Sequence, residues 1–135
     1  MEQNKAISIY HNPRCSKSRE TLALVQDIAQ RESLELNVID YQKTPPSLAE
    51  LEALHMQLGT SVHDMLRDNE DEYAALDLAK AADSLLLAAL AAHPKLLQRP
   101  IVSYRGKAAI GRPPEHVLAL FDSTQHQHSQ QKAAS

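Results

Sequence analysis

Apolar positions along the chain switch between a two-residue beat and a helical beat, and the switches mark out its elements. Lys5-Ala6-Ile7-Ser8-Ile9-Tyr10 alternates in the manner of a half-buried strand. Asn12-Pro13 breaks it. From Ser16 or Ser18 to about Glu32, the residues Leu22, Val25, Ile28 and Ala29 recur at helical spacing, which predicts an amphipathic helix. Glu35 to Tyr41 alternates again, with Leu36, Val38 and Asp40 opposite Asn37, Ile39 and Tyr41. A second strand is expected there.

Thr44-Pro45-Pro46-Ser47 reads as a linker, and Ser47 with Glu50 has the spacing of a capping box. Leu48, Leu51, Leu54 and Leu58 then share one helical face, and Gly59 stops that helix. Residues 61–78 read as short helices joined by the acidic run Glu70-Asp71-Glu72. Ala81 to Ala92 forms an alanine- and leucine-rich helix closed by His93-Pro94. Pro100 to Arg105, a turn at Gly106 and a return over Lys107 to Ile110 make a short hairpin. Pro113-Pro114 opens a last helix carrying Val117, Leu118, Leu120 and Phe121, and 122–135 is a polar tail expected to fray. No internal repeat is visible. This order is that of a thioredoxin-like α/β fold: a mixed sheet with a helical insertion at about 47–93 between its two halves. One domain over 1–121 is expected.

At 135 residues the chain is long enough for one sizeable core, and its 43% hydrophobic and 23% charged residues are ordinary for a globular protein. A net charge of -3 argues against a nucleic-acid-binding domain, which usually carries a basic excess. No apolar run approaches the ~20 residues that span a bilayer. The opening residues Met1 to Lys5 lack the apolar stretch of a signal peptide. With one cysteine the chain cannot form an intramolecular disulfide, so the expected compartment is the cytoplasm. The same fact constrains the chemistry. Any redox cycle through Cys15 needs a thiol from another molecule.

Cys15 falls where the first strand has ended and the first helix begins. Helix N-termini offer unpaired N–H groups and a partial positive charge, both favourable to an anion. Arg14, Lys17 and Arg19 lie within four residues, Ser16 and Ser18 bring hydroxyls able to donate to the sulfur, and His11 ends the strand beside it. Thiols in such settings titrate well below free cysteine. The competing reading is a buried structural thiol, a common fate for free cysteine. The bracket Arg-Cys-Ser-Lys-Ser-Arg argues against it.

Two familiar cysteine chemistries can be set aside. A phosphatase-type loop places an arginine six positions after the cysteine, where this chain has Thr21. A Cys-x-x-Cys pair would need a second cysteine where Ser18 stands. What remains is a monothiol Cys-x-x-Ser pattern. His11 and Cys15 have no partner cluster of ligand-spaced residues, so no metal site is expected; His126 and His128 read as part of a solvated tail.

The segment His11-Asn12-Pro13-Arg14-Cys15-Ser16-Lys17-Ser18-Arg19 resembles the active-site segment of the glutaredoxin-coupled arsenate reductases. Two further stretches agree in kind and order: Met65-Leu66-Arg67-Asp68-Asn69, and Gln98-Arg99-Pro100-Ile101-Val102 followed by Gly111-Arg112-Pro113-Pro114-Glu115. The likeness runs from about Ile7 to Phe121, and is strongest to the bacterial branch with Arg-Cys-Ser-Lys-Ser at the site. Better-characterised members carry a small Gly-containing pair where this chain has Ser16-Lys17. The resemblance implies Cys15 as nucleophile, with Arg67, Arg99 and Arg112 holding the oxyanion, Arg112 also serving catalysis, and His11 and Ser18 tuning the cysteine. It also implies a cis peptide before Pro100.

The three arginines make physical sense for that chemistry. Arsenate is a dianion and the attacking sulfur an anion, so their approach needs several positive charges. Guanidinium stays charged and offers paired donors to two oxygens. A lone arginine is more often a surface charge or a salt-bridge partner. Arg99 and Arg112, each directly before a proline and flanking one hairpin, fit the oxyanion role better than Arg67 in its acidic neighbourhood. The expected activity is reduction of arsenate to arsenite through a Cys15 adduct, resolved by glutathione and glutaredoxin, with no bound metal or prosthetic group. The alternative is a monothiol thioredoxin-like redox or regulatory protein on the same fold without physiological arsenate reduction.

Overall fold

The computed structural model describes residues 6–121, so Lys5, the expected tail and its His126 and His128 lie outside the described part. Four strands form one sheet: β1 (Ile7–His11), β2 (Leu36–Asp40), β3 (Ile101–Tyr104) and β4 (Lys107–Ile110), in the spatial order β2-β1-β3-β4. β1 and β2 run parallel, with Ile9 opposite Val38. Parallel neighbours need a crossover, supplied here by helix α1 (Ser16–Glu32). β3 lies antiparallel to β1, with Val102 opposite Ile9, and turns back into β4. That hairpin turns through Arg105 and Gly106, at φ 54° and 79°. Two positive φ values in a two-residue turn match the twist of the flanking strands.

Each face of the sheet carries its own core. Ile7, Ile9, Val25, Ile28, Val102, Val117 and Phe121 pack together, joining α1 and the C-terminal helical segment to one face. Ile101 instead joins a second cluster with Tyr41, Leu51, Leu54, Met65, Leu86, Leu90 and Leu97, contributed by the helical residues between β2 and β3. Adjacent residues Ile101 and Val102 serve opposite faces because successive side chains alternate across a strand.

That helical segment holds α2 (Leu48–Leu58), α3 (Asp71–Ala75) and α4 (Asp83–Ala92), with 3-10 turns at Val62–Met65, Leu78–Lys80 and Pro94–Leu96. The capping box of α2 is formed: Ser47 Oγ accepts from Glu50 N–H at 3.1 Å, and Glu50 Oε1 accepts from Ser47 N–H at 2.8 Å. Gly59 closes the helix at φ 69°. No described helix is long and apolar enough to cross a membrane.

Three expectations about elements need correcting. The alanine-rich helix starts at Asp83, two residues later than its composition suggested, because Ala81 and Ala82 are extended. The final element is a 3-10 helix over Pro114–Leu118 that stays helical to Phe121. Its first bond runs from His116 N–H to Pro113 O at 2.9 Å, the tighter i to i+3 pairing. Val38 is 48% exposed, since β2 is an edge strand and its alternation does not bury one clean face.

Candidate active site

The loop after β1 delivers Cys15 to the start of α1. Asn12 makes the turn: its carbonyl accepts from Cys15 N–H at 3.0 Å and its side-chain Oδ1 accepts from Arg14 N–H at 3.0 Å. Cys15 is the N-cap of α1, with extended backbone, and its carbonyl accepts from Arg19 N–H. The cysteine is half-buried there.

Burial pushes the Cys15 thiol up, but donors around it outweigh that effect. The backbone N–H of Ser18, the Arg99 guanidinium and the backbone N–H of Lys17 all favour the thiolate, and the thiol ends below the ordinary cysteine value. The main side-chain cation is therefore Arg99, from the segment entering β3. Arg14, Lys17 and Arg19, the neighbours in sequence, are exposed, and Arg19 donates to the Pro13 carbonyl at 3.0 Å.

Ser18 works in two directions. Its N–H faces the sulfur, while its fully buried hydroxyl bonds His11 Nδ1 at 2.8 Å and accepts from Asn12 N–H at 3.0 Å. The hydroxyl is thus engaged with His11 and Asn12, in place of the sulfur expected from sequence. His11 is pushed below the ordinary histidine value by burial, with Asp40 opposing and Arg19 reinforcing the shift. That shift favours the neutral imidazole.

Arg99 and its neighbours are assembled by backbone pairing between distant segments. Leu66 and Leu97 form an antiparallel bridge, flanked by bonds from Arg67 N–H to Leu96 O and from Gln98 N–H to Met65 O, both 2.7 Å. This sets Arg67 beside the segment that leads to Arg99. The peptide bonds Arg99-Pro100 and Arg112-Pro113 are both cis, the first as the resemblance implied and the second beyond it. Gly111 N–H donates to Pro100 O at 2.9 Å, and Arg112 Nη1 donates to Arg99 O at 3.3 Å. Arg112 is thereby held against Arg99. Arg67 is tied by Nε to Glu70 Oε2 at 3.2 Å, so the acidic neighbourhood seen in sequence does engage it.

Tyr41 and Gly111 had no clear signal in the sequence. Tyr41 is fully buried and its hydroxyl has no hydrogen-bond partner among the described residues. Burial pushes its ionisation up, while Arg99, Gln42 and Arg67 pull the other way. Arg99 Nε is likewise buried and unpaired among the described residues. At Gly111 an added Cβ would lie 2.7 Å from Thr21 Oγ1 and 3.0 Å from Pro100 Cγ. Close passage of α1 requires glycine there. No group of three or more His, Cys, Asp or Glu among the described residues is placed to hold a metal ion.

A thioredoxin-like sheet with one cysteine at a helix N-terminus, faced by an arginine from the segment before a cis proline, defines a thiol-centred protein. The family model described as the ArsC family matches residues 10–120, and the chain belongs to that family. It is 44% identical over 118 residues to an arsenate reductase of Neisseria meningitidis, covering 85% of this chain and 97% of that one. An uncharacterised protein of Escherichia coli K12, YfgD, is 45% identical over 119 residues, covering 86% and 97%. Among solved structures, an arsenate reductase from Vibrio cholerae superposes with a TM-score of 0.77 at 47% identity, covering 85% of this chain and 97% of that one.

Proposed function

We propose that this protein reduces arsenate to arsenite with Cys15 as nucleophile and an external thiol as reductant. The observation that carries the reading is the sulfur's setting: two helix N–H groups and the Arg99 guanidinium favour its anion despite burial. An arsenate reductase name on relatives at this identity supports the choice of substrate.

The Cys15 thiolate attacks arsenic, an As–O bond breaks, and the departing oxygen leaves as water after taking a proton. Arg99, Arg112 and Arg67 offset the charge of the dianion as it nears the thiolate. Glutathione thiolate then attacks Cys15 sulfur. An S–S bond forms, the S–As bond breaks with its electron pair left on arsenic, and arsenite departs. A glutaredoxin thiolate takes the glutathione sulfur from this mixed disulfide and returns Cys15 as thiolate. The chain's single cysteine requires such an outside thiol. The reducing cytoplasm suits this cycle.

The test is arsenite production with glutathione and glutaredoxin, compared between the wild type and Cys15→Ser. Turnover that needs both thiol partners and vanishes in the variant supports the reading. Equal turnover with thioredoxin alone, or none with any thiol, would overturn it.

A further inference from the structure

The loop that carries Cys15 has a second side that the arginine cluster does not use. A cleft of about 320 Å³ opens beside the loop carrying Cys15, lined by Asn12, Pro13, Arg14, Asp40, Gln42 and Lys43. It lies beyond the carboxyl ends of the parallel strands β1 and β2, a favoured location for ligands in α/β sheets. Arg99, Arg112 and Arg67 belong to the segments around β3 and the helical insertion. Cys15 follows directly on Arg14 of the cleft lining, while Arg99 acts on its sulfur from the other segment.

Both rims of the cleft are built by side chains that fold back on their own backbone. Asn12 Oδ1 accepts from Arg14 N–H, and Asp40 Oδ1 accepts from Gln42 N–H at 3.2 Å. The Asp40 carbonyl accepts from both Lys43 and Thr44 N–H, at 3.0 and 2.8 Å. These local bonds fix the loops that present the charged groups. Arg14 and Lys43 are exposed, and neither side chain is in an ion pair among the described residues.

We infer that this cleft binds the reducing thiol as a zwitterionic tripeptide, with the Asp40–Lys43 rim taking its amino-acid end and Arg14 its far carboxylate. The inference rests on the proposed thiol-dependent reaction and adds the place and charge pattern of thiol recognition. Glutathione carries one ammonium and two carboxylates. The cleft offers one carboxylate, Asp40, and two cations, Arg14 and Lys43. The ammonium and carboxylate at the γ-glutamyl end sit on one carbon and match Asp40 and Lys43 on one loop. The central cysteine then lies toward Cys15 while the oxyanion keeps the arginine side. Two reactants approach one sulfur from separate directions, and neither has to leave for the other to bind.

The experiment uses S-methylglutathione, which cannot react, as the binding probe on the full chain. Amide resonances of Arg14, Gln42 and Lys43 should shift on its addition. Lys43→Glu should weaken that binding about tenfold, since reversal replaces attraction with repulsion, and the loss should shrink with added salt. The same variant should raise the KM for glutathione by a similar factor. Turnover with uncharged 2-mercaptoethanol, the KM for arsenate and the pH midpoint of Cys15 alkylation should stay at wild-type values. No binding of the probe, shifts confined to another region, or equal binding by Lys43→Glu and wild type would overturn the inference. Failure of arsenate reduction alongside Lys43-dependent binding would overturn the proposed activity and leave the cleft assignment standing.

Discussion

His11 Nδ1 and Ser18 Oγ meet at 2.8 Å in a buried bond that joins the end of β1 to the first turn of α1. The same oxygen accepts from Asn12 N–H, so one hydroxyl fixes the loop on either side of Cys15. On the sulfur this serine acts through its backbone N–H, which favours the thiolate. Positioning the loop and stabilising the thiolate are thus separate tasks of one residue.

Ser18→Ala separates them. It keeps the N–H at the sulfur and leaves His11 and the Asn12 N–H without their partner. Destabilisation of about 1 to 3 kcal/mol is expected, the usual effect of orphaning a buried polar group. The pH midpoint of Cys15 alkylation should remain near wild type. Urea unfolding together with alkylation rates checks both parts, and a large upward shift of the midpoint would show that the hydroxyl matters to the thiolate after all.

The depressed His11 pKa sets a pH dependence of stability. The unfolded chain takes up this proton near the ordinary histidine value, while the folded chain resists until lower pH. Between those two values the unfolded state binds more protons, so stability falls as pH falls. Unfolding free energies of wild type and His11→Gln, measured from pH 8 to 5, should show the wild type losing ground over the acidic part of that range. Parallel curves would rule out His11 as a contributor.

Arg99 and Arg112 should fail differently. Arg99→Met removes the guanidinium at the sulfur, so the alkylation midpoint should rise. Arg112→Ala loses a cation next to the Arg99 carbonyl and should leave the midpoint in place. Turnover with arsenate should fall about a hundredfold, as when one donor to a developing oxyanion is lost. Arg112→Lys should recover only part of it, because an ammonium lacks the planar fork. Circular dichroism and turnover together separate loss of function from loss of fold.

Gly111→Ala is expected to destabilise the protein by about 1 to 3 kcal/mol through overpacking. The new methyl would meet both Oγ1 and Cγ2 of Thr21, at 2.7 and 3.0 Å. Thr21→Ala removes both atoms, so the double variant should regain much of the loss. A double-mutant cycle on thermal unfolding measures that coupling, and strict additivity would show that the two residues do not meet.

Local pattern made most of the fold legible. Alternation at Ile7 and Ile9, the Ser47–Glu50 box and the Arg105-Gly106 turn each have a short-range cause. The site was less so. Arg14, Lys17 and Arg19 looked like the source of thiolate stability because they are close in sequence, whereas Arg99 is brought in by strand pairing. Tyr41 read as one more alternating position of β2. Its full burial and its exposure to the charges of Arg99 and Arg67 depend on how the helical segment packs over the sheet, which no periodicity records. Composition does not mark the start of α4, because Ala81 and Ala82 in the extended connection carry the same helix propensity as the alanines inside it.

The long separation in sequence between Cys15 and Arg99 has a consequence for how the protein is made. During synthesis the cysteine leaves the ribosome well before the arginine that faces it, and a single domain folds as a unit. Until β3 docks beside β1, that guanidinium has no fixed place near the sulfur, and a nascent chain exposes a thiol of more ordinary acidity. Full nucleophilicity switches on only as the last strands close. An unfinished or unfolded copy is therefore a poorer target for oxidants and electrophiles than the completed one, and the rate of Cys15 labelling can serve as a clock for the end of folding.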